Sequence, residues 1–320
     1  MKKSAFPDLA AYAALVTAAL VWGGSVVGQK WALGSFSAVE TSVLRGTGAL
    51  AILIPLWWWH EGVAVRFTAR DVAVFAVLGA CVLGNHLLVL FGLRYIGAGA
   101  AGIIIGASPA ITAFLSSLLI RDIPFRVVWV GCAVSFAGVA LVTGLGGETA
   151  VGTKPWLGGI LVVLALVSWA LYTIGSRRVM ERFSPLTVNW TTLLISILLQ
   201  IPLLWADQKV AIAGFASVPA SGWVALIYLI VFATALGQQA WLYGVQGVGP
   251  ARAGIFTNLI PVSALLLSAL ILGEPIGVRE VAGIFLILAG VWLVNRQSEQ
   301  VAGQRASLEE AAQMTEQKAR

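Results

Sequence analysis

Charge is the scarcest ingredient of this chain. Of its 320 residues only 11% are Asp, Glu, Lys or Arg, whereas 59% are hydrophobic, and the mean hydropathy is +0.92. Soluble domains carry about 25% charged residues, so this chain cannot cover its surface against water and we expect lipid around it. The net charge of +6 does not indicate a nucleic-acid surface, because the basic residues stand singly between apolar runs.

Cysteine and buried acid are also scarce. The two cysteines, Cys81 and Cys132, lie in different apolar runs without metal-ligand spacing, so neither a disulfide framework nor a redox motif is indicated. No acidic residue lies in the middle third of an apolar run, which removes the carboxylate cluster that an intramembrane enzyme or a carboxylate proton relay would need. No P-loop or nucleophile elbow occurs. We therefore expect no enzyme, no cofactor and no metal.

Ten hydrophobic runs make up most of the chain, each close to the roughly 20 residues that cross a bilayer. They lie at 10–33, 38–58, 72–93, 98–120, 127–144, 156–176, 186–205, 223–245, 251–272 and 278–294. The first run follows two lysines as a secretory signal would, but no clear small-x-small cleavage site follows it, so we expect it to be retained. The sequence predicts an all-α integral membrane protein with ten transmembrane helices.

Lysine and arginine in the flanking segments predict the orientation. With a cytoplasmic amino terminus, the inner segments hold 14 of the 20 basic residues and the outer segments 5, while Arg45 lies within the second run. Both termini are therefore predicted to be cytoplasmic, and the charged residues 297–320 to form a polar cytoplasmic tail.

An internal repeat divides the chain into residues 1–146 and residues 147–296. At an offset of 147, Trp22 aligns with Trp169 and Pro55 with Pro202; at an offset of 152, Pro109 aligns with Pro261 and several glycines align with glycines. Each unit holds five runs, an odd number, so the second unit must lie inverted in the membrane. Inverted repeats are typical of alternating-access transporters, whose substrate site lies near the midplane where the repeats meet.

The order of several short motifs resembles the drug/metabolite transporter superfamily in its form with two EamA-type repeats. These motifs are Trp22-Gly23-Gly24-Ser25, Arg45-Gly46, the glycine-rich segment 97–102 leading to Pro109, and Gly273-Glu274-Pro275 followed by Gly283 and Gly290. The chain is also similar to bacterial exporters of aromatic amino acids in that group. It departs from the repeat pattern where Arg121-Asp122 stands for the Gly-Glu of the second unit and where Thr192 stands for Arg45.

Polar side chains deep in the spans are the candidate site, because lipid makes them costly unless they are paired or face a cavity. His86, in the stretch LGNHLLVLFG (83–92), is the leading candidate, and Gln238 is its repeat counterpart. The other expected substrate-binding residues are amides, aromatics and a serine: Gln239, Trp22, Trp169, Tyr172, Ser25, Asn258, Asn85 and Tyr243. His86 alone among them titrates near neutrality, so uniport and proton exchange both stay open.

Three further residues are candidates for gating or hinge motion. Pro55 and Pro202 stand at equivalent points of the repeat and each removes a backbone hydrogen bond from its helix. Arg45 could regulate a gate, bind a substrate carboxylate in bidentate fashion, or pair with Glu40. Its depth also leaves snorkelling to the outer surface open.

Each candidate also has a purely structural interpretation. Ser25, Ser108 and Thr257 can bond their own helices, and amides such as Asn85 can bridge helices at about 0.6 kcal/mol per contact.

We expect a secondary transporter that exports small metabolites by alternating access through a cavity between the repeats, and the resemblance favours amino acids, aromatic ones first. The alternatives are a multidrug carrier or a sugar or nucleotide carrier of the same superfamily; an intramembrane enzyme or a receptor explains less of the pattern. The expected surroundings are a bacterial inner membrane and its lipid, the expected partner is a small-molecule substrate, nucleic acid is not expected, and a monomer is compatible with the pattern.

Overall fold

The computed structural model describes residues 7–62, 66–119, 125–142, 153–206, 218–248 and 256–293. Within them the first repeat contains α1 (Pro7–Ala32), α2 (Ala38–Glu61), α3 (Ala69–Gly92), α4 (Ala98–Ile105), α5 (Ser108–Leu119) and α6 (Phe125–Val142). The second contains α7 (Pro155–Val179), α8 (Pro185–Ala206), α9 (Ala220–Tyr228), a π-helical segment (Leu229–Leu236), α10 (Gly237–Val248), α11 (Leu259–Leu272) and α12 (278–293). The predicted repeat boundary at 146 and the tail at 297–320 lie outside the described residues.

These helices confirm the predicted fold of two inverted five-helix repeats. Within the described residues, six helices are long and apolar enough to cross a membrane: Leu9–Ala32, Ala38–Glu61, Ala69–Gly92, Pro155–Ser176, Pro185–Leu204 and Ala220–Gly244. The fourth, fifth and ninth spans contain shorter apolar helices. Side chains on the outer surface are apolar, such as Leu270 and Phe285, which are 80% and 69% exposed, as expected where lipid replaces water.

Equivalent helices of the two repeats begin in the same way. The Ser37 hydroxyl accepts a hydrogen bond from the Glu40 amide (3.1 Å), and the Glu40 carboxylate accepts one from the Ser37 amide (2.7 Å), which completes a capping box at the start of α2. At the start of α8, the Ser184 hydroxyl accepts a hydrogen bond from the Thr187 amide (3.0 Å). Ser37 and Ser184 are aligned by the offset of 147, so the repeat extends to the helix caps.

Helices of each repeat pack against helices of the other repeat. α3 packs against α7 and α8 of the second repeat, and the span formed by α9, the π-helical segment and α10 packs in the same way against α1 and α2 of the first. α6 and α12 approach through glycines that the repeat aligns. A methyl group at Gly138 would lie 2.8 Å from the Gly283 carbonyl oxygen, and one at Gly290 would collide with the Gly131 carbonyl oxygen. Neither repeat buries its core alone, and their interface runs through the centre of the bundle.

Two spans depart from the continuous helices expected from the sequence. The fourth span breaks at Gly106 and Ala107, between α4 and α5, where amides bond carbonyls three residues back. In the ninth, a turn at Thr257 and Asn258 precedes α11, and residues 251–255 lie outside the described residues. The two breaks fall at the same point of the repeat, at an offset of about 152. Interrupted helices at corresponding points of two halves indicate a binding site in membrane transporters.

Candidate functional site

A cavity lies between the two repeats at the level of the helix breaks. About 110 Å³ of it is available to the centres of water molecules, enough for several waters or a small solute, since one water needs roughly 10–15 Å³ on this measure. Its walls mix aromatic, aliphatic, amide and hydroxyl side chains: Trp22, Ser25, Val26, Gln29, Arg45, Asn85, His86, Val89, Ile105, Ser108, Leu166, Trp169, Gln238, Thr257 and Ile260.

The repeat symmetry runs through this cavity. His86 and Gln238, aligned at the offset of 152, both line it, and so do Trp22 and Trp169, aligned at 147. The structure thus brings together the two pairs that the sequence singled out. Because each pair contains one residue from each repeat, the cavity lies close to the pseudo-twofold axis.

The helix breaks supply two further symmetric pairs. Ile105 ends α4 and its counterpart Thr257 lies in the turn before α11; Ser108 begins α5 and its counterpart is Ile260. All four residues line the cavity. The turns in the fourth and ninth spans therefore both border the cavity.

One wall of the cavity is aromatic. The rings of Trp22 and Trp169 meet edge to face, with centroids 5.9 Å apart and planes at 84°. Trp241 packs against Trp22, with ring centroids 5.2 Å apart, and Tyr172 packs against Trp169, with centroids 5.3 Å apart. Such a row presents a rigid apolar surface that can still hydrogen-bond at its edges.

The π-helical segment positions both Trp22 and Arg45. The Trp22 Nε1–H donates to the Ala233 carbonyl (3.1 Å), and the Arg45 Nε–H donates to the Thr234 hydroxyl oxygen. The Thr234 hydroxyl itself donates to the Leu229 carbonyl five residues back (2.8 Å), the spacing of a π-helix. π-Helical turns are frequent at functional sites, and this eight-residue segment brings a hydroxyl and a carbonyl to face the first repeat.

Arg45 is buried, with 7% of its surface exposed, and it lines the cavity. Among the described residues it has no ion pair with Glu40, whose carboxylate is taken up by the α2 capping box. Pairing with Glu40 is one of the interpretations that the sequence leaves open, and the structure does not show it.

Two of the polar candidates have structural partners as well. The Ser25 hydroxyl donates to the Trp22 carbonyl of its own helix (2.8 Å), and the Asn85 amide donates to the Ala165 carbonyl of α7 (3.0 Å). Both still line the cavity. Asn85 therefore bridges α3 and α7 while it lines the cavity.

Several predicted substrate-binding residues lie away from the cavity wall. Gln239 and Asn258 each hold a buried side-chain oxygen that finds no hydrogen-bond partner within the described residues. Tyr172 is buried in contact with the Trp169 ring, and Tyr243 is 50% exposed; neither is among the described residues that line the cavity. Their roles in binding stay predictions.

The two candidate hinges, Pro55 and Pro202, lie inside α2 and α8, both exposed on helices that continue without a break. Their hinge role also stays a prediction.

Sequence reasoning missed three residues near the cavity. Gln29, 5% exposed, lines it one turn beyond Ser25, whose carbonyl accepts its amide (3.2 Å). Thr234 anchors Arg45, and Trp241 packs on Trp22. Gln29 and Thr234 are polar residues within apolar runs, so the sequence alone could have marked them as candidates. The position of Trp241 could not be predicted, because it depends on the helix phase after the π-helical segment.

At one end of the bundle, called here the Glu274 end, the Glu274 carboxylate connects the segment between α11 and α12 to the start of α4. The two oxygens of Glu274 accept hydrogen bonds from the backbone amides of Ala98 and Gly99, both at 2.8 Å, at the start of α4. Lys30 of α1 donates to the carbonyls of Leu93 and, at 2.8 Å, Ile96 just before it. The Gly273-Glu274-Pro275 motif thus links the α11–α12 connection to α4.

The cavity-lining residues that the structure describes include no Asp or Glu, and the same part of the chain holds no group of three or more His, Cys, Asp and Glu that could bind a metal. The described lining residues can provide hydrogen bonds, aromatic contacts and one fixed positive charge. An all-helical membrane protein with inverted repeats, paired helix breaks and a central cavity of this kind belongs to the class of membrane transporters.

The chain belongs to the EamA-like transporter family, which matches residues 9–144 and 156–296; the resemblance predicted from its motifs is confirmed. It is similar to YyaM of Bacillus subtilis (strain 168), described as an uncharacterized transporter, with 28% identity over 265 residues, 82% of this chain and 86% of YyaM. It is also similar to a probable terminal-alkyne amino-acid exporter of Streptantibioticus cattleyicolor, with 26% identity over 289 residues, 89% of this chain and 93% of that protein. A solved structure titled "Crystal structure of protein" shares the fold, with a TM-score of 0.64 at 18% identity over 93% of this chain and 99% of its own.

Proposed function

We propose that this transporter exports small metabolites, amino acids foremost and aromatic ones first, by alternating access through the cavity between its repeats. The observation that carries the proposal is the set of four repeat-related pairs around one cavity, among them His86 with Gln238 and Trp22 with Trp169. A site on the symmetry axis of two inverted repeats can be exposed to either side by the same rocking motion in opposite senses.

The lining supports a substrate with a ring or an alkyl group and polar ends. Trp22 and Trp169 offer apolar faces, while Asn85, His86 and Gln238 offer hydrogen-bond donors and acceptors. The similarity to an amino-acid exporter supports the same substrate class. The absence of acidic residues from the lining disfavours cationic drugs as the main substrates.

The excess of lysine and arginine in alternate connections, 14 against 5, supports cytoplasmic termini in an inner membrane. In that orientation the Glu274 end faces away from the cytoplasm. Export then requires that end to open when substrate is bound.

The test is counterflow of labelled phenylalanine into proteoliposomes that are preloaded with unlabelled phenylalanine. We expect His86→Leu and Gln238→Leu each to abolish counterflow while the folded protein elutes as wild type. His60→Leu is the matched control, because His60 is the other histidine and is exposed at the end of α2. Wild-type flux in both cavity variants would contradict the site.

A further inference from the structure

Among the described residues that line the cavity, only Arg45 carries a fixed charge. Its Nε–H is held by the Thr234 hydroxyl, which is itself oriented by its bond to the Leu229 carbonyl. No hydrogen bond from either Nη group to a described residue is seen. The guanidinium is thus fixed at its inner nitrogen, with its outer donors left for a ligand.

No countercharge is present for it within the described chain. None of the lining residues is acidic, and the nearest acid in sequence, Glu40, caps α2. A buried cation without an anion costs several kcal/mol, roughly, and is retained where it binds something. An anion entering the cavity would supply the missing charge.

The site is one-sided, although the cavity around it is symmetric. The repeat counterpart of Arg45 is Thr192, whose hydroxyl donates to the Val188 carbonyl (2.8 Å) and the Asn189 carbonyl (3.1 Å) of its own helix. Arg45 is therefore the one arginine among the described lining residues, which suits a single carboxylate better than a dianion. The two planar Nη groups match both oxygens of a carboxylate.

The ammonium group of an amino acid would have no anionic partner among the described lining residues. An ammonium group would meet amide and hydroxyl oxygens and the tryptophan faces, but no carboxylate. Val26, Val89 and Leu166 add an aliphatic wall beside Trp22 and Trp169.

Resting on the proposed function, we propose that Arg45 binds the carboxylate of the substrate and that the cavity selects monocarboxylates with an apolar group, whether or not they carry an amino group. Compounds that keep the carboxylate but lack the ammonium are then ligands. Amines that keep the ammonium and the ring but lack the carboxylate are not.

The first experiment is equilibrium binding of radiolabelled 3-phenylpropanoate to the purified full chain in detergent, with competition by phenylalanine and by 2-phenylethylamine. We expect phenylalanine to displace the label and 2-phenylethylamine to fail at a tenfold higher concentration. Because it uses the wild-type protein, this arm does not depend on the folding of a variant. Equal competition by the amine, or no binding of 3-phenylpropanoate, would overturn the proposal.

The second experiment changes the arginine. Arg45→Gln should weaken binding of 3-phenylpropanoate by about tenfold or more, the range of a lost charge-assisted hydrogen bond, and Arg45→Lys should restore part of it. Arg94→Gln is the control, because it removes the same charge from an exposed residue just after α3. Unchanged binding by Arg45→Gln would overturn the proposal.

The two proposals fail in different ways. If no amino acid shows counterflow while 3-phenylpropanoate binds in an Arg45-dependent manner, amino-acid export is wrong and the carboxylate site stands. If phenylalanine shows counterflow but 2-phenylethylamine competes with it equally, export stands and the assignment of Arg45 is wrong.

Discussion

Replacing Glu274 by glutamine should loosen the Glu274 end of the bundle. Both carboxylate oxygens accept backbone amides of α4 at 2.8 Å. Glutamine keeps one acceptor and turns an NH₂ group toward the other amide, so one charge-assisted hydrogen bond is lost and two donors face each other. One such bond is worth about 1.5–3 kcal/mol, and a loss of about 2 kcal/mol shifts the closed-to-open equilibrium of this end by roughly 30-fold.

Reactivity of a buried cysteine measures that shift. Ser268 is 1% exposed and lies beside Glu274, so Ser268→Cys in a chain with Cys81→Ser and Cys132→Ser should react slowly with a maleimide in detergent. We expect labelling to be about 30-fold faster when Glu274→Gln is added.

The matched control for this experiment is Glu280→Gln. It removes the same charge, but Glu280 accepts only the local Gly277 amide (2.9 Å). Equal labelling rates with and without Glu274→Gln would refute the reasoning that this carboxylate holds the end closed.

Three smaller effects follow from individual contacts. Trp22→Phe removes the hydrogen bond to the Ala233 carbonyl (3.1 Å) and should lower the free energy of unfolding by about 1 kcal/mol. The measurement is the thermal midpoint, which should fall. Trp58→Phe is the control, because its ring is 64% exposed, and it should leave the midpoint unchanged. Ser37→Ala removes the N-cap of α2 and should cost about 1 kcal/mol; an unchanged midpoint in either variant would contradict the corresponding contact. A green fluorescent protein fused to the C-terminus should fluoresce in cells, and a dark, full-length fusion would contradict the predicted orientation.

The sequence repeat pointed to two pairs of residues that line one cavity in the structure. His86 and Gln238 lie 152 residues apart, yet they line one cavity because inverted repeats place equivalent residues about one axis. Trp22 and Trp169 are in ring contact for the same reason. Such pairs can be found from alignment of the two halves alone, without knowledge of the packing.

Which single residues face the cavity could not be predicted in the same way. Gln238 lines the cavity and Gln239 does not, and both follow a π-helical segment that changes the phase of every residue after it. The breaks at Gly106 and before α11 were likewise hidden, since apolar composition is the same in a continuous and in an interrupted helix. Pro109 and Pro261 lie just after these turns, but a proline alone does not show that a helix is interrupted there.

The role of Arg45 was open for a related reason. From the sequence, Glu40 lay close enough to pair with it, but Glu40 is in the first turn of α2, where its carboxylate completes a capping box with Ser37. The choice between these partners depends on backbone geometry at the helix start.

The most direct test of the account is counterflow by the wild-type protein in proteoliposomes, run over a panel of labelled amino acids with and without a pH gradient. Alternating access through the central cavity predicts that unlabelled substrate inside the vesicles accelerates uptake of label, with an aromatic amino acid among the substrates. Absence of counterflow for every amino acid of the panel, from protein that is folded and inserted, would contradict amino-acid export.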